Sequence, residues 1–350
     1  MTAAQHGIPA PHDASRPPAL TGPALGEPDS PVVPATAGMA ATEVTAGPGA
    51  ARPKQSPASC AAAVLRASRP RQWPKNFLVL AAPVAGATFG RPDGLACALV
   101  ALAAFTAASA AVYLVNDVAD ADRDRQHPVK RARPVAAGDL RPAHALAVAG
   151  AAMAAAASSG LWIAAPGLTV TVLIYLAISL SYSAALKHIP GIELAAVASG
   201  FVLRALGGAA ATRVPPSGWF LAVCSLGALM VAVSKRRSEL AALGDAATSH
   251  RPVLRWYGSW GLKLAARGLA AAMVVAYALW ALYSGHPGGR VPWWHLASII
   301  PLAAAVGRFD WLTGRGGGKP VEDLIIRDRI MAAAELAWLL LFAMGMATGM

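Results

Sequence analysis

Nine long apolar blocks run through this chain, near residues 76–90, 94–115, 143–164, 167–186, 191–212, 217–234, 264–284, 293–311 and 329–349, and charge is confined almost wholly to the stretches between them. A helix needs about 17–25 apolar residues to cross the hydrocarbon core of a bilayer. Lipid offers no water to unpaired backbone groups, so such blocks must be helical. The pattern therefore specifies an all-α polytopic membrane protein with nine transmembrane helices. Alanine fills several blocks, and Gly200, Gly207 and Gly208 fall inside the fifth, where they permit close helix contact without a hydrophobic drive.

The formal net charge of +12 invites a nucleic-acid reading, which the positions of the basic residues dismiss. Of the 30 Lys and Arg residues, 26 fall in the amino-terminal region and in alternate loops on one face, namely 116–142, the turn after the fourth block, 235–267 and 308–329. The opposite loops hold only Arg91, Arg213 and Arg290, and of the basic residues Arg204 alone lies deep inside a block, away from its ends. The positive-inside rule places the basic face in the cytoplasm. The expected topology is a multi-pass plasma-membrane protein with a cytoplasmic amino terminus and an extracytoplasmic carboxyl terminus.

Residues 1–57 are rich in Pro, Ala and Gly with few large apolar side chains, the composition of a disordered cytoplasmic tail. No basic start precedes an apolar core there, so it is not read as a secretory signal. Residues 58–350 form the transmembrane domain. Cys60, Cys97 and Cys224 have neither paired nor metal-ligand spacing.

The densest polar cluster begins where the second block ends. Asn116, Asp117, Asp120, Asp122 and Asp124 come within nine positions, followed by Pro128, Lys130, Arg131 and Arg133. On a helix, residues four apart share a face, which aligns Asn116, Asp120 and Asp124 and turns Asp117 and Asp122 elsewhere. One amide and two carboxylates suit a hard cation such as Mg2+, which prefers oxygen and keeps substrate phosphates in its sphere. These three are the candidate catalytic and metal-binding residues. Pro128 stops the helix and turns the basic residues back toward it, where they suit the phosphates.

Other candidates lie on the same cytoplasmic face. Lys75 and Asn76, after Arg69-Pro70-Arg71-Gln72-Trp73-Pro74, open the first block, and Lys75 is expected in a polar cavity. Lys187 follows Tyr182 at the end of the fourth block. Glu193 and Arg204 are too far apart along the fifth span to pair, so each is expected to answer to another span or to substrate. Lys235-Arg236-Arg237, with Glu239, follows the sixth block, and a phosphate-binding role is expected there. Glu322, Asp323, Arg327, Asp328 and Arg329 precede the last block.

Nine spans with Asn116-x-x-x-Asp120-x-x-x-Asp124 after the second resemble the UbiA superfamily of intramembrane prenyltransferases, from about residue 60 onward. In its aromatic prenyltransferases a second aspartate-rich motif follows span six. Here that place holds Lys235-Arg236-Arg237, with Glu239 the carboxylate nearest the family position. That substitution, with Arg69-Pro70-Arg71-Gln72-Trp73, Tyr113-Leu114-Val115-Asn116-Asp117, Lys130-Arg131-x-Arg133-Pro134, Leu186-Lys187-His188, Ser199-Gly200-Phe201 to Arg204 and Arg327-Asp328-Arg329, resembles the branch of decaprenyl-phosphate phosphoribosyltransferases. Glu193, where aspartate is expected, departs from it. The resemblance implies Mg2+-dependent transfer of 5-phosphoribose from 5-phosphoribosyl 1-diphosphate to a polyprenyl phosphate, supplying lipid-linked pentose for cell-wall arabinan. It implies donor contacts from Lys75, Tyr113, Lys130, Arg131 and Arg133. Lys187, Arg204, Lys235 and Arg236 are left to the 5-phosphate or the lipid phosphate. A homo-oligomer is compatible with this reading. The alternative is prenyl transfer to an aromatic acceptor, which calls for a second acidic motif. A transporter would place charge along a through-path at mid-membrane, and Arg204 is the single such charge.

Overall fold

A computed structural model describes residues 57–243, 252–283, 293–315 and 328–348. The expected tail lies outside the described residues apart from Pro57. Among those residues all regular structure is helical. The α-helices are α1 (Pro57–Ala67), α2 (Ala81–Ala85), α3 (Pro92–Ala119), α4 (Ala121–Arg125), α5 (Pro134–Ala137), α6 (Pro142–Trp162), α7 (Pro166–Ala184), α8 (Ile192–Thr212), α9 (Gly218–Leu243), α10 (Ser259–Tyr283), α11 (Trp293–Arg315) and α12 (Arg329–Thr348). Short 3-10 turns join several of them. Eight helices, α3 and α6 to α12, are long and apolar enough to cross a membrane.

The first expected span is not among them. Pro70–Leu80 winds as a 3-10 helix and Ala81–Ala85 as a short α-helix, with another 3-10 turn at Thr88–Gly90. Pro70, Pro74 and Pro83 withhold amide hydrogens from any continuous α-helix. The segment still runs beside α3 from end to end. Arg69 at its start bonds Asp117 near the end of α3 at 2.5 Å, while a Cβ on Gly94, in the first turn of α3, would collide with the Thr88 carbonyl. A 3-10 helix rises about 2.0 Å per residue against 1.5 Å, so a short segment covers the distance.

Successive long helices alternate in direction, which gathers the ends of α3, α7, α9 and α11 with the starts of α6, α8, α10 and α12. Aromatic side chains mark both rims. Trp162, Tyr283 and Trp293 are exposed at one, and Trp256, Trp260 and Trp311 at the other, which carries the acidic motif. This is the belt that tryptophan and tyrosine form at membrane interfaces.

The core of the first half centres on Phe105, packed with Val79, Leu168, Val172, Tyr175 and Leu203. Helix α8 reaches it through two glycines. A Cβ on Gly207 would strike the Phe105 ring, and one on Gly208 would strike the Val79 carbonyl oxygen. The ring can shift but the carbonyl is backbone. Gly208→Ala is therefore expected to cost about 1–3 kcal/mol through overpacking. Gly150→Ala, on an open face of α6 with nothing within 4 Å, should match or exceed the parent because alanine favours helix. Thermal midpoints in detergent compare the two.

Candidate active site

Helix α3 ends at Ala119, and Asp120 leaves helical geometry at φ −96° and ψ 0° before α4 begins. The spacing survives this break. The Asp120 amide donates to the Asn116 carbonyl and the Asp124 amide to the Asp120 carbonyl, both at 2.9 Å. Asn116, Asp120 and Asp124 thus remain one turn apart, on an interrupted rather than a continuous helix.

Their side chains differ in environment. The Asp120 carboxylate is 32% exposed and pairs with the exposed Arg123. Asp124 is buried, and Arg133 Nη1 lies 2.6 Å from its Oδ2. Asp117, off the aligned face, is also buried and receives Arg69 at 2.5 Å, with Arg133 Nη1 at 3.5 Å. Arg133 therefore stands between two carboxylates. Of the loop's basic residues Arg133 turns back onto the motif, the helix having ended already at Arg125, and His127 Nδ1 accepts from the Val129 and Lys130 amides at 3.2 and 3.3 Å, which shapes the turn. Lys130 and Arg131 are exposed on a 3-10 turn beyond it. Arg69 holds a left-handed backbone at φ 54°, and its guanidinium lies 4.7 Å over the Tyr113 ring. A non-glycine residue there stores strain that the neighbouring contacts must hold.

Arg204 is not placed at an open phosphate site. Its Nε donates to Asn76 Oδ1 at 2.7 Å, Nη1 to the Gly200 carbonyl at 2.6 Å, and Nη2 to Ser109 Oγ and Tyr175 OH at 3.1 Å each. It binds the 3-10 segment, α3, α7 and α8 together, and Lys75, half-buried, is the neighbour of the clamped Asn76. Ser109 and Tyr175 were not legible as partners, although Ser109 lies two turns before Asn116 on the same face.

Arg236 corrects a second expectation. Its Nε donates to both Glu193 oxygens at 2.8 Å, and its Nη1 to both Glu239 oxygens at 2.8 and 2.7 Å. Nη2 lies 2.6 Å from Glu193 Oε2 and 3.3 Å from Tyr182 OH. All three guanidinium nitrogens are engaged inside the protein, so none is left for a phosphate. Arg237 likewise turns to α11, bonding Asp310 Oδ1 at 2.6 Å and Thr313 at 2.8 Å. Lys187 and Lys235 are half-buried at the same end.

Two further groups close this end. The Gly191 amide donates to Tyr257 OH at 2.7 Å, and burial pushes the Tyr257 phenol above its usual range, so it stays protonated. Arg308 beside Asp328 holds that carboxyl below the usual carboxylate range, and Asp328 Oδ1 caps α12 by accepting from the Met331 amide at 2.8 Å. Glu322, Asp323 and Arg327 lie outside the described residues. An open pocket of about 550 Å³, lined by Gly167, Thr171, Leu206, Ala210, Arg213 and Pro215, lies at the opposite end and holds none of the candidate residues.

Among the described residues no three His, Cys, Asp or Glu side chains gather as a metal cluster. What the acidic motif presents is an amide and carboxylate oxygens, with Asp120 open and Asp124 behind Arg133. Such a set fits Mg2+, which typically takes one or two protein carboxylates and completes its shell with substrate phosphates and water.

Residues 76–319 match the UbiA prenyltransferase family. The chain belongs to that family. The decaprenyl-phosphate phosphoribosyltransferase of Mycobacterium tuberculosis is 38% identical over 291 residues, covering 81% of this chain and 94% of that one. The enzyme of the same name from Corynebacterium glutamicum is 36% identical over 298 residues, covering 83% and 89%. A UbiA homolog from Archaeoglobus fulgidus, solved with GPP and Mg2+, superposes with a TM-score of 0.61 at 18% identity, over 81% of this chain and 98% of that one. At that identity the UbiA likeness is one of fold: an all-helical bundle.

Proposed function

We propose that this chain transfers 5-phosphoribose from 5-phosphoribosyl 1-diphosphate to a polyprenyl phosphate of the decaprenyl class, releasing diphosphate. The observation that carries the reading is the pairing of buried Glu193, and of Glu239 beside it, with Arg236, which leaves the Asp120 carboxylate with the Asn116 amide as the face of oxygen ligands offered to a metal. One such face with a basic loop beside it suits a donor whose diphosphate sits on the sugar. Relatives named decaprenyl-phosphate phosphoribosyltransferase, matched over about nine-tenths of their length, support the same choice.

The reaction breaks the ribose C1–O bond, its electron pair leaving with diphosphate, while an oxygen of the lipid phosphate bonds C1. That phosphate is already anionic at neutral pH, so no general base is needed and positioning carries much of the rate. Asn116 and Asp120 would hold Mg2+, with Asp124 as a further oxygen donor, and the ion when bound neutralises the leaving diphosphate. Lys75, Tyr113, Lys130, Arg131 and Arg133 orient the donor's phosphates and ribose, and Lys187 and Lys235 serve the remaining phosphate group. In this reading the 70–90 segment is a ninth crossing, the motif end faces the cytoplasm of a plasma-membrane protein, and the carboxyl terminus lies outside.

Purified protein given labelled 5-phosphoribosyl 1-diphosphate, decaprenyl phosphate and Mg2+ should form a lipid-linked 5-phosphoribose, and chelation of Mg2+ should abolish it. Turnover of a prenyl diphosphate with an aromatic acid, with no labelled lipid, would overturn the proposal.

A further inference from the structure

The pairing of Arg133 bears on when the motif can take its metal. One nitrogen, Arg133 Nη1, lies 2.6 Å from Asp124 and 3.5 Å from Asp117. Both carboxylates are at least nine-tenths buried, at 5% and 1% side-chain exposure, and Arg69 supplies the second positive charge. Two anions and two cations form a neutral quartet beneath the motif. Asp120 stands apart, since its partner Arg123 is 74% exposed and such surface pairs are weak.

A divalent cation arriving alone reaches Asn116 and Asp120 but would have to displace Arg133 to gain Asp124 as a ligand. That leaves a guanidinium and two added charges crowded at one buried edge. A cation arriving with a diphosphate meets a different balance. The guanidinium leaves Asp124 for the incoming phosphate oxygens, which match its planar fork, while Asp117 keeps it tethered. The two-carboxylate geometry is what a hand-over requires, because releasing one anchor does not strand the charge.

Resting on the reading of the motif as a metal–diphosphate site, we infer that Arg133 occupies Asp124 as a resident counter-cation and makes the Asp124 ligand, and with it tight metal binding, conditional on the donor's diphosphate. Metal and diphosphate then bind cooperatively and reciprocally, by a factor within the roughly 5–150-fold range of such couplings.

The test is titration of the full chain in detergent with Mn2+, followed by the resonance of the free ion, with and without inorganic diphosphate, each titration read against a protein-free one of the same diphosphate content because diphosphate itself chelates Mn2+. The wild-type protein should bind Mn2+ weakly alone and about tenfold or more tightly with diphosphate. Arg133→Gln should bind Mn2+ alone about tenfold more tightly than wild type and lose most of the diphosphate coupling. A gain of affinity is an outcome that mere structural damage does not give. Arg133→Lys, which keeps the charge but not the fork, should leave Mn2+ binding weak and lower the coupling, and it stands as the check should the glutamine variant fold poorly. Equal Mn2+ affinity in wild type and Arg133→Gln, or no effect of diphosphate on the wild type, overturns the inference. If phosphoribosyl transfer proceeds while either result is found, the inference fails alone. If no Mn2+ binds under any condition and no transfer occurs, the proposed function fails with it.

Discussion

Asp120→Asn is expected to lower phosphoribosyl transfer by roughly two to three orders of magnitude, the size typical of removing one electrostatic contact to a developing anion, while the protein inserts and unfolds as before. The two halves of this expectation have separate physical grounds. Activity falls because an amide in place of the open carboxylate removes a formal charge from the acidic position of the aligned face whose partner, Arg123, is mostly exposed. Stability holds because Asp120 is a third exposed and its partner Arg123 mostly so, and exposed pairs contribute about 0–1 kcal/mol. Asparagine also tolerates the backbone geometry that Asp120 adopts between α3 and α4. Raising the Mg2+ concentration should recover part of the loss, since the remaining oxygens still bind the ion weakly. Initial rates across a Mg2+ series, beside the thermal midpoint, decide the matter. Near-normal turnover would remove Asp120 from the site.

How much of this arrangement the sequence discloses depends on how local its cause is. Eight spans are legible because bilayer thickness imposes a length on each block, and that length needs no partner to be read. The first block departs from a continuous α-helix for an equally local reason: Pro83 within it and Pro74 just before it withhold amide hydrogens, and hydropathy is blind to them. Helical period alone brings Asn116, Asp120 and Asp124 to one side, and the i→i+4 amide bonds keep them there despite the break at Asp120. What each carboxylate meets is another matter. Asp124 and Asp117 are tied by arginines from the loop that follows and from the segment before α3. The helical period sets Asp117 apart, but nothing in the acidic stretch itself marks Asp124 as buried and Asp120 as open.

The basic triplet Lys235-Arg236-Arg237, toward the end of α9, shows the same limit. Its sign can be read directly. Its partners cannot, because Arg236 meets Glu193 across a separation of 43 residues, and Arg204 meets Asn76 across 128. A positive charge at a membrane-facing helix end has two destinations, a substrate anion or a carboxylate of another helix. Only packing chooses between them.

That choice yields the second large expectation. Arg236→Met should leave Glu193, wholly buried, without its counter-charge, and removing one partner of a buried pair costs about 3–5 kcal/mol. The variant should express poorly and lose transfer activity. Adding Glu193→Leu should restore most of the stability, because replacing both members of a buried ion pair with apolar groups of similar volume is often neutral or better. Glu239, at 28% side-chain exposure, can turn to water and does not need Arg236 in the same way. Transfer should then return to within about tenfold of wild type in the double variant, since the guanidinium is engaged by protein carboxylates. A role on a substrate phosphate gives the opposite result: a stable double variant whose KM for one substrate has risen steeply. Thermal midpoints and the two KM values, measured on both single variants and the double, separate the two roles, because only the structural one lets a second loss of charge repair the first.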